Sequence, residues 1–347
     1  MAEPTQIAGP PQEAEVWEVA RGKDTSRPVL RRGRRLLPAP GPGEVLVRIH
    51  ACSLNARDLL QLDGLYPDPG RAFVVASDAA GEIVALSPDV TGLVIGDRVV
   101  NHGLPGWEDG PFRSEKRGVI YGGPDDGTMA THRVFRADTL VKISDHLTFE
   151  DASTLNCAGL TAWSAIVLHS HAVPGETVVI QGTGGVSLFA LQFAKLAGLK
   201  TIVTSSSDAK LERVRALGAD HCLNYRNDDW PRQVRDLSGG GATAIVEVAG
   251  TINPSVRCLR TGGTLLSVGV LAGANPGVNL PMIMMRAIRI QGVTLGSRSD
   301  MVAMVRALAA NTLRPVIDRV FPFDALEDAF EHYRAGHGFG KVVVAIP

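Results

Sequence analysis

The sequence lacks the features by which several classes of protein are recognised. It has only four cysteines, at positions 52, 157, 222 and 258, and no two form a C-x-x-C pair. We therefore expect neither a disulfide framework nor a compact structural zinc site. No apolar run reaches the ~20 residues that cross a bilayer. The N-terminal MAEPTQIAGPPQEAEV has no basic-then-apolar leader. These absences predict a protein of the reducing cytoplasm without a membrane partner.

An excess of charge of either sign is also missing. Lys and Arg number 35, Asp and Glu number 36, and the formal net charge is −1. No global field favours nucleic acid or an anionic membrane. The densest basic run, RRGRR at 31–35, precedes a Pro/Gly turn and is interpreted as a solvated strand edge or hairpin. The 347 residues, 45% of them hydrophobic, are enough for two domains.

The first part of the chain, from 14 to about 150, is rich in short strand patterns. Residues 44–49 and 80–85 predict strands, and Pro/Gly turns separate them. The segment 101–127 is long, polar and rich in glycine. A loop of that size in a compact domain is usually functional or mobile. We therefore expect it to contribute to a binding site.

From about residue 155, apolar strands alternate with helical stretches. This alternation predicts a parallel sheet covered on both faces. Strands are predicted at 177–181, 201–204, 222–224, 244–248, 264–268 and 288–294, and helices at 188–199, 209–217, 230–237, 253–259 and 301–310. The mixed pattern returns after the last helix. This return predicts that one domain is inserted within another.

A glycine-rich segment joins the first of these strands to its helix. It reads Gly182-Thr183-Gly184-Gly185-Val186-Ser187. The first glycine permits a sharp turn, and the second lets backbone amides approach a pyrophosphate at the helix N-terminus. Ser187 replaces the third glycine of the usual fingerprint and is small enough for helix–strand packing. The context, more than the motif itself, predicts a dinucleotide-binding loop.

The sequence resembles the medium-chain dehydrogenase/reductase superfamily over almost its whole length. The similar segments are PAPGPGEVLVRIHACSLNARDLL, SDAAGEIVALSPDVTGLVIGDRVV, VVIQGTGGVSLFALQFAKLAG, TSSSDAKLERVRALGADHCLNY and FDALEDAFEHYRAGHGFGKVVV. The resemblance is to the zinc-free, quinone-oxidoreductase-like and zinc-type alcohol dehydrogenase-like branch. It implies an α/β fold in which a Rossmann domain with a doubly wound parallel sheet, at 156–299, is inserted into a GroES-like β-barrel-type catalytic domain, at 1–155 and 300–347. It also implies a cleft between the domains and a homodimer, with the strand at 288–294 extending the sheet across a two-fold axis.

The resemblance also locates the ligands of a catalytic zinc, most of which are missing. Asn55 stands where the first cysteine would be, and Ser77 stands where the histidine would be. Cys157 matches the third ligand, but one thiolate cannot form the three-ligand site that catalytic zinc needs. Asp58 is expected to hold Arg57 or nearby backbone instead of a metal ligand. We expect no metal.

The end of the second Rossmann strand indicates which nicotinamide cofactor binds. An NAD-specific domain has Asp or Glu there, and by family register Ser205 takes that place. Ser205 and Ser206 can donate to a 2′-phosphate, with Lys210 as a counter-charge. Tyr225 resembles the family tyrosine near the adenosine phosphate, and Arg226 is a possible assistant. The pattern favours NADPH over NADH.

A second interpretation of the same segment stays open. Residues 205–207 can also serve to cap the next helix, with Asp208 contacting the ribose. Asp208 falls about three residues late for that task.

The resemblance implies further site residues. Tyr66 is similar to a tyrosine of quinone and enoyl reductases that can donate a hydrogen bond or proton, although packing is an equal alternative. Asn55 is expected to position the nicotinamide ribose or the substrate. The family positions that line the cofactor match Thr161, Gly250, Val268, Gly269, Leu295, Gly296, Ser297 and Lys341. Lys341 is the weakest of these matches, because a basic residue before a final strand is often exposed.

Three functions follow from this pattern. The first is NADPH-dependent reduction of a quinone, enone or enal, small molecules whose developing negative charge hydrogen bonds can stabilise. The second is an alcohol dehydrogenase acting on simple alcohols or aldehydes, which the missing zinc ligands disfavour. The third is a non-catalytic NADPH-binding protein. We expect the segments 101–127 and 275–287 to shape the substrate pocket. The sequence does not predict the substrate, because loops vary freely in sequence.

Overall fold

The computed structural model describes residues 11–21, 28–66, 70–116, 120–123, 125–227, 229–271, 273 and 277–347. The chain divides into two compact units. The first comprises Met1–Asn156, Val320–Arg334 and Val343–Pro347, and the second comprises Cys157–Arg319 and Ala335–Val342. The first boundary is close to the expected 155. The C-terminal part differs from our expectation, because 300–319 and 335–342 belong to the second unit.

The secondary structure consists of short strands and helices throughout. The strands are β1 (Glu13–Arg21), β2 (Pro28–Leu36), β3 (Glu44–Ser53), β4 (Phe73–Val74), β5 (Asp78–Leu86), β6 (Arg98–Asn101), β7 (His132–Arg136), β8 (Leu140–Lys142), β9 (Thr177–Gln181), β10 (Lys200–Ser205), β11 (His221–Asn224), β12 (Ala242–Glu247), β13 (Leu259–Ser267), β14 (Arg289–Gly292), β15 (Ile317–Pro322) and β16 (Lys341–Ala345). The helices are α1 (Ala56–Leu62), α2 (Phe149–Ser153), α3 (Leu160–Trp163), α4 (Gly185–Leu196), α5 (Asp208–Ala216), α6 (Trp230–Leu237), α7 (Ile252–Cys258), α8 (Leu280–Met285), α9 (Arg298–Ala310) and α10 (Leu326–Arg334). Two π-helical segments, Leu155–Gly159 and Ser164–His169, flank α3. Within the described residues, no helix is long and apolar enough to cross a bilayer.

Antiparallel sheets dominate the first unit. One sheet has the order β2-β1-β4, and the other has the order β15-β16-β3-β5-β6-β8, with β7 also paired to β3. Gly81 permits the close approach of β5 to β3, because a Cβ there would lie 2.1 Å from the carbonyl oxygen of Arg48. The pairing register of these strands shifts at the neighbouring Ile49. The first unit is therefore built mainly of antiparallel strands, as the strand-rich pattern of the sequence predicted.

The basic run at 31–35 lies in β2 and pairs with β1. Arg31 and Arg35 both form ion pairs with Glu18, which is 5% exposed. Arg32 pairs with Glu15. The interpretation of this run as a hairpin is confirmed, and its charge is largely neutralised within the hairpin.

The second unit contains a six-stranded parallel sheet in the order β11-β10-β9-β12-β13-β14. The central strands are buried on both faces, as the continuous apolar residues Val178, Val179 and Ile180 of β9 show at 0% exposure. Burying one such side chain contributes about 1.5–3 kcal/mol. Numbered from β9, the strand order is the 3-2-1-4-5-6 of a doubly wound dinucleotide-binding sheet. The predicted α/β fold class is confirmed.

Two predicted element bounds were wrong in an informative way. The helix expected at 188–199 begins at Gly185 and ends at Leu196. It starts earlier because the amide of Leu188 already donates to the carbonyl of Gly184, in the phosphate loop. The strand expected at 288–294 is shorter, since only Arg289–Gly292 pair with β13.

Candidate functional site

The predicted phosphate loop lies between β9 and α4. Gly182 has a φ of +77°, a conformation that favours glycine. Gly184 is the N-cap of α4, is exposed, and forms a parallel bridge with Gly340. The N-terminus of α4 therefore begins directly after the glycine turn, where an anion is expected. Thr183 is buried and Val186 is half-buried. The positive φ of Gly182 and the helix start at Gly185 are the local geometry that we expected for a dinucleotide-binding loop.

Ser187 occupies the position of the third glycine. Its side chain is 2% exposed, and its hydroxyl donates to the carbonyl of Gln181 at 2.7 Å. A serine therefore fits the helix–strand contact with its hydroxyl hydrogen-bonded.

Residues 335–342 pack against the phosphate loop within the second unit. The amide of Gly340 donates to the carbonyl of Thr183 at 3.1 Å. Lys341 is only 3% exposed, so the alternative that it is simply solvent-exposed is wrong. A Cβ on Gly185 would lie 2.5 Å from Cδ of Lys341. Gly185 thus makes room for the buried stem of Lys341 beside the loop.

The end of β10 carries the serines predicted to meet the adenosine ribose. Ser205 is the last residue of β10, and its hydroxyl accepts from the amide of Ser207 at 3.3 Å. Ser207 is the N-cap of α5, and its hydroxyl accepts from the amide of Lys210 at 3.4 Å. Ser206 is half-buried between them. Helix capping is therefore observed, but it is carried by Ser207.

Asp208, the alternative ribose partner, already has a hydrogen bond. Its Oδ1 accepts from Nδ2 of Asn224 at 2.8 Å. Tyr225 and Arg226 follow β11 at the same edge, and the amide of Tyr225 donates to the carbonyl of Ser205 at 3.1 Å. The residues predicted for the adenosine end are thus brought together in one part of the second unit.

The ammonium group of Lys210 lies near the C-terminal segment of this unit. Its Nζ donates to the carbonyl of Gly336 at 3.2 Å. Partial burial lowers the pKa of Lys210, the nearby Arg213 lowers it further, and Asp318 acts in the opposite direction. An added anion such as a 2′-phosphate would favour its charged form.

The loops that follow β12 and β13 meet at the carboxyl edge of the sheet. Gly250 has a φ of +85°, and a Cβ there would lie 2.5 Å from the carbonyl oxygen of Gly273. A Cβ on Gly269, which follows Val268, would lie 2.5 Å from the carbonyl oxygen of Val248. Both glycines therefore permit the close approach of these loops.

The remaining predicted cofactor residues of the second unit are Thr161, Leu295, Gly296 and Ser297, all of them buried. A Cβ on Gly296 would lie 2.7 Å from Oγ of Ser164, so the loop before α9 packs on the helical segment that contains Thr161. Ser297 is the N-cap of α9, and its hydroxyl accepts from the amide of Asp300 at 3.2 Å. The hydroxyl of Ser297 therefore has a structural role as the cap of α9.

A fully buried carboxylate, that of Asp78, organises the polar site of the first unit. Its Oδ2 accepts from Nδ2 of Asn55 at 2.9 Å and from Oγ of Ser53 at 3.2 Å. Its Oδ1 accepts from Oγ of Ser77 at 2.9 Å and from Nδ2 of Asn156 at 2.8 Å. Asp78 is 0% exposed. Four neutral donors converge on one negative charge, which strengthens each hydrogen bond.

The same cluster fixes the neighbouring backbone. Asn55 is the N-cap of α1, and its backbone N–H donates to Oδ2 of Asp58 at 2.8 Å. Holding nearby backbone was one of the two roles predicted for Asp58. Oδ1 of Asn156 accepts from the amide of Gly103 at 2.7 Å. The start of the long polar loop is thereby tied to the Asp78 cluster.

Tyr66 lies just after α1 and is half-buried. The guanidinium carbon of Arg57 lies 5.5 Å from the centroid of its ring. Arg57 also donates to the carbonyl of Tyr121 at 2.9 Å and to that of Gly122 at 3.3 Å. The cation–π contact gives the Tyr66 ring a packing partner. Both roles predicted for Tyr66, packing and donation, stay open.

Two family models match the chain. The alcohol dehydrogenase GroES-like domain matches residues 41–145, and the zinc-binding dehydrogenase model matches residues 185–310. The zinc-type alcohol dehydrogenase-like protein C1773.06c of Schizosaccharomyces pombe is 40% identical over 316 residues, which are 88% of this chain and 91% of that protein. The chain belongs to the medium-chain dehydrogenase/reductase superfamily.

Two further similarities bear on activity. A quinone oxidoreductase of Pseudomonas aeruginosa is 32% identical over 275 residues, 78% of each chain. A solved NAD-dependent alcohol dehydrogenase is 32% identical with a TM-score of 0.86, covering 96% of this chain and 100% of that one. As a member of this superfamily the chain is an oxidoreductase with a nicotinamide-cofactor-binding fold and a GroES-like domain.

The residues of this medium-chain dehydrogenase/reductase do not fit a catalytic zinc ion. Zinc requires thiolate, imidazole or carboxylate lone pairs. Asn55 and Ser77 instead direct N–H and O–H donors at Asp78. The described ranges contain no group of three or more His, Cys, Asp or Glu side chains arranged to hold a metal.

Sequence reasoning missed two buried carboxylates at the centre of these sites. Asp78 directly follows Ser77, and Glu247 ends the fully buried strand β12. An acid next to or within a buried strand is a signal, because buried charges need partners. It could have directed attention to both residues.

Proposed function

We propose that the chain is an NADPH-dependent, metal-independent oxidoreductase that transfers hydride to a quinone, an enone, an enal or a related carbonyl compound. The observation that carries metal independence is the donation of Asn55 and Ser77 to Asp78. A cation placed there would face the polar hydrogens of Asn55 and Ser77 and would compete with their two hydrogen bonds to a buried carboxylate.

The preference for NADPH is supported by the end of β10. Ser205 supplies a hydroxyl where an NAD-specific domain has a carboxylate. The nearest alternative acid, Asp208, is engaged by Asn224. Lys210 supplies a positive charge on the first turn of α5.

The residues of the first unit have separate tasks in this reaction. NADPH, when bound, would supply a hydride to the electron-poor carbon of the substrate, whose displaced electron pair would be delocalised onto the carbonyl oxygen. Tyr66 donates a hydrogen bond through its hydroxyl to that oxygen as charge develops, and water supplies the proton that completes the reduced product. Asn55, held by Asp78, orients the substrate or the nicotinamide ribose.

The setting of this activity is a reducing compartment, which we propose to be the cytoplasm. None of the four cysteines, all of which lie in the described ranges, forms a disulfide, and Cys52 and Cys258 are buried. Burial raises the pKa of the Cys258 thiol to about 12, so this thiol is unreactive.

The deciding experiment measures turnover and metal content of the same preparation. A panel of quinones, enones, enals and simple aldehydes is assayed with NADPH and with NADH, before and after chelation. We expect NADPH oxidation with conjugated substrates, no loss on chelation and far less than about one zinc per chain.

Two results would redirect the assignment. About one zinc per chain, with activity lost to chelators, supports the alcohol dehydrogenase. Tight NADPH binding without turnover on any substrate supports the non-catalytic protein.

The variant Tyr66→Phe tests the proposed donor in the same assay. We expect turnover on a conjugated substrate to fall by about 10²-fold, while NADPH affinity changes little. Tyr121→Phe is the matched control, because Tyr121 is 5% exposed and packs on Phe135. Unchanged catalytic efficiency of Tyr66→Phe would assign Tyr66 to packing.

A further inference from the structure

Glu247 is a buried carboxylate at the carboxyl end of β12. It is 0% exposed. Its Oε1 accepts from the amides of Ala249 at 3.1 Å and Thr251 at 2.8 Å, and its Oε2 accepts from the amide of Gly250 at 3.0 Å. The hydroxyl of Thr251 donates to Oε1 at 3.2 Å. Three successive amides turned towards one anion form a nest, so the conformation of this loop depends on the carboxylate.

The backbone of Glu247 holds the neighbouring loop as well. Its carbonyl accepts from the amide of Val268 at 2.8 Å and from that of Gly269 at 3.3 Å. The amide of Leu271 then donates to the carbonyl of Val248 at 3.3 Å. One residue therefore anchors the loops after both β12 and β13.

A chain of hydrogen bonds continues from Glu247 to the phosphate loop. The carbonyl of Thr251 accepts from Oγ of Ser255 at 2.7 Å. Oγ of Ser255 accepts from Nε2 of Gln181 at 2.7 Å, and the carbonyl of Gln181 accepts from Oγ of Ser187 at 2.7 Å. These polar groups connect β12 to the first turn of α4 across the centre of the sheet.

The strand order indicates which part of the cofactor this network serves. In a doubly wound sheet a dinucleotide lies across the point where the strand order reverses, here between β9 and β12. The serines of β10 lie on the adenosine side, so the loops after β12 and β13 lie on the other. We infer that Glu247 is a positioning residue for the nicotinamide half of the cofactor. By holding the loops after β12 and β13, it sets the distance between the bound nicotinamide and the phosphate loop. The inference rests on the proposed NADPH site.

The test compares a whole cofactor with its adenosine half. Glu247→Gln keeps the size of the side chain but replaces one acceptor oxygen by an NH₂ group that faces backbone amides. By calorimetry, NADPH should bind about tenfold more weakly or worse. Adenosine 2′,5′-bisphosphate, which lacks the nicotinamide half, should bind within about twofold of the parent protein.

Two further variants make this comparison specific. Glu176→Gln is the matched control, because Glu176 also accepts from a backbone amide, that of Val173, but precedes the amino end of β9. It should change neither affinity. Thr251→Val removes only one hydroxyl and should weaken NADPH by about two- to tenfold, even if Glu247→Gln does not fold.

Two outcomes overturn the inference. One is equal weakening of NADPH and adenosine 2′,5′-bisphosphate, and the other is NADPH affinity within twofold of the parent in both Glu247→Gln and Thr251→Val. Failure of the proposed NADPH preference is seen separately, as tighter NADH binding by the parent protein. The comparison is then made with NADH and AMP.

Discussion

At the scale of single residues, cofactor choice depends on the side chains at the end of β10. Lys210→Ala should weaken NADPH by about ten- to a hundredfold and hardly affect NADH, since only NADPH carries the 2′-phosphate. Ser205→Asp should do more, because it adds repulsion for the phosphate and an acceptor for free ribose hydroxyls. Fluorescence titration of both cofactors measures these changes.

A lysine elsewhere on the second unit provides the control for this titration. Lys195 pairs with Asp220 at 2.8 Å near the far end of α4, so Lys195→Ala should leave both affinities unchanged. If the parent binds NADH as well as NADPH and Lys210→Ala weakens both equally, the serine–lysine interpretation is wrong. Asp208 would then be the candidate ribose partner.

The buried acids show why part of the site could not be predicted from sequence. The glycines of the phosphate loop were predictable because a turn and a helix start have local signatures. Asp78 acquires its role from Ser53, Asn55 and Asn156, which are distant along the chain and meet only through folding. No local pattern contains that information.

At the scale of elements, the strands were predicted more reliably than their limits. Apolar periodicity located β9 and α6 as observed. It extended the strand at 288–294 beyond its hydrogen-bonded part, because an apolar run does not show where a partner strand ends. It also could not assign 335–342 to the second unit, since that assignment depends on long-range contacts such as Gly340 with Thr183.

The paired strands β3 and β7 carry two histidines that should make stability depend on pH. Burial lowers the pKa of His50, with Arg48 and Arg98 acting in the same direction and Glu82 and Glu150 opposing them. The ring of His50 stacks on Phe149 with centroids 4.3 Å apart, and its Nε2 is buried without a partner.

His132 behaves similarly. Burial lowers its pKa, and Arg48 and His50 add to the effect. Below the ordinary pKa of 6.5 the unfolded chain binds protons that these folded histidines resist. The free energy of unfolding should therefore fall as pH decreases from about 6.5.

Thermal unfolding at a series of pH values between 8 and 5.5 measures this dependence. The variant His132→Gln removes one of the two imidazoles. As pH decreases, the melting temperature of this variant should therefore fall less steeply than that of the parent protein. His221→Gln is the control, since His221 is exposed. An equal slope in the parent and His132→Gln would contradict this explanation.

At the scale of the whole molecule, we expect a homodimer that joins two copies through β14. This strand is at the edge of the parallel sheet, and an exposed edge is a template for another strand. Ile290 of β14 is 43% exposed, and Met284 and Met285 of α8 are 76% and 85% exposed. These apolar side chains would be covered in the dimer.

Light scattering after size exclusion tests the assembly. The parent should have about twice the mass of the 36.8 kDa chain, and Ile290→Lys should shift it towards the monomer. Val94→Lys, at a position that is 59% exposed in the first unit, should leave the dimer intact. A monomeric parent, or a dimer unaffected by Ile290→Lys, would rule out this interface.

The pairing of β16 with β3 has a consequence for how the chain folds. Val343 pairs with Ser53, and roughly 290 residues lie between them. Closing so long a loop is slow, because its entropy is lost before any contact compensates for it. During synthesis on the ribosome, β5 and β7 pair with β3 early, but Ala51, Cys52 and Ser53 lack their β16 partner while the whole second unit emerges. The order of translation therefore makes the inserted unit the earlier one to complete its sheet and leaves the sheet of the first unit incomplete for longer.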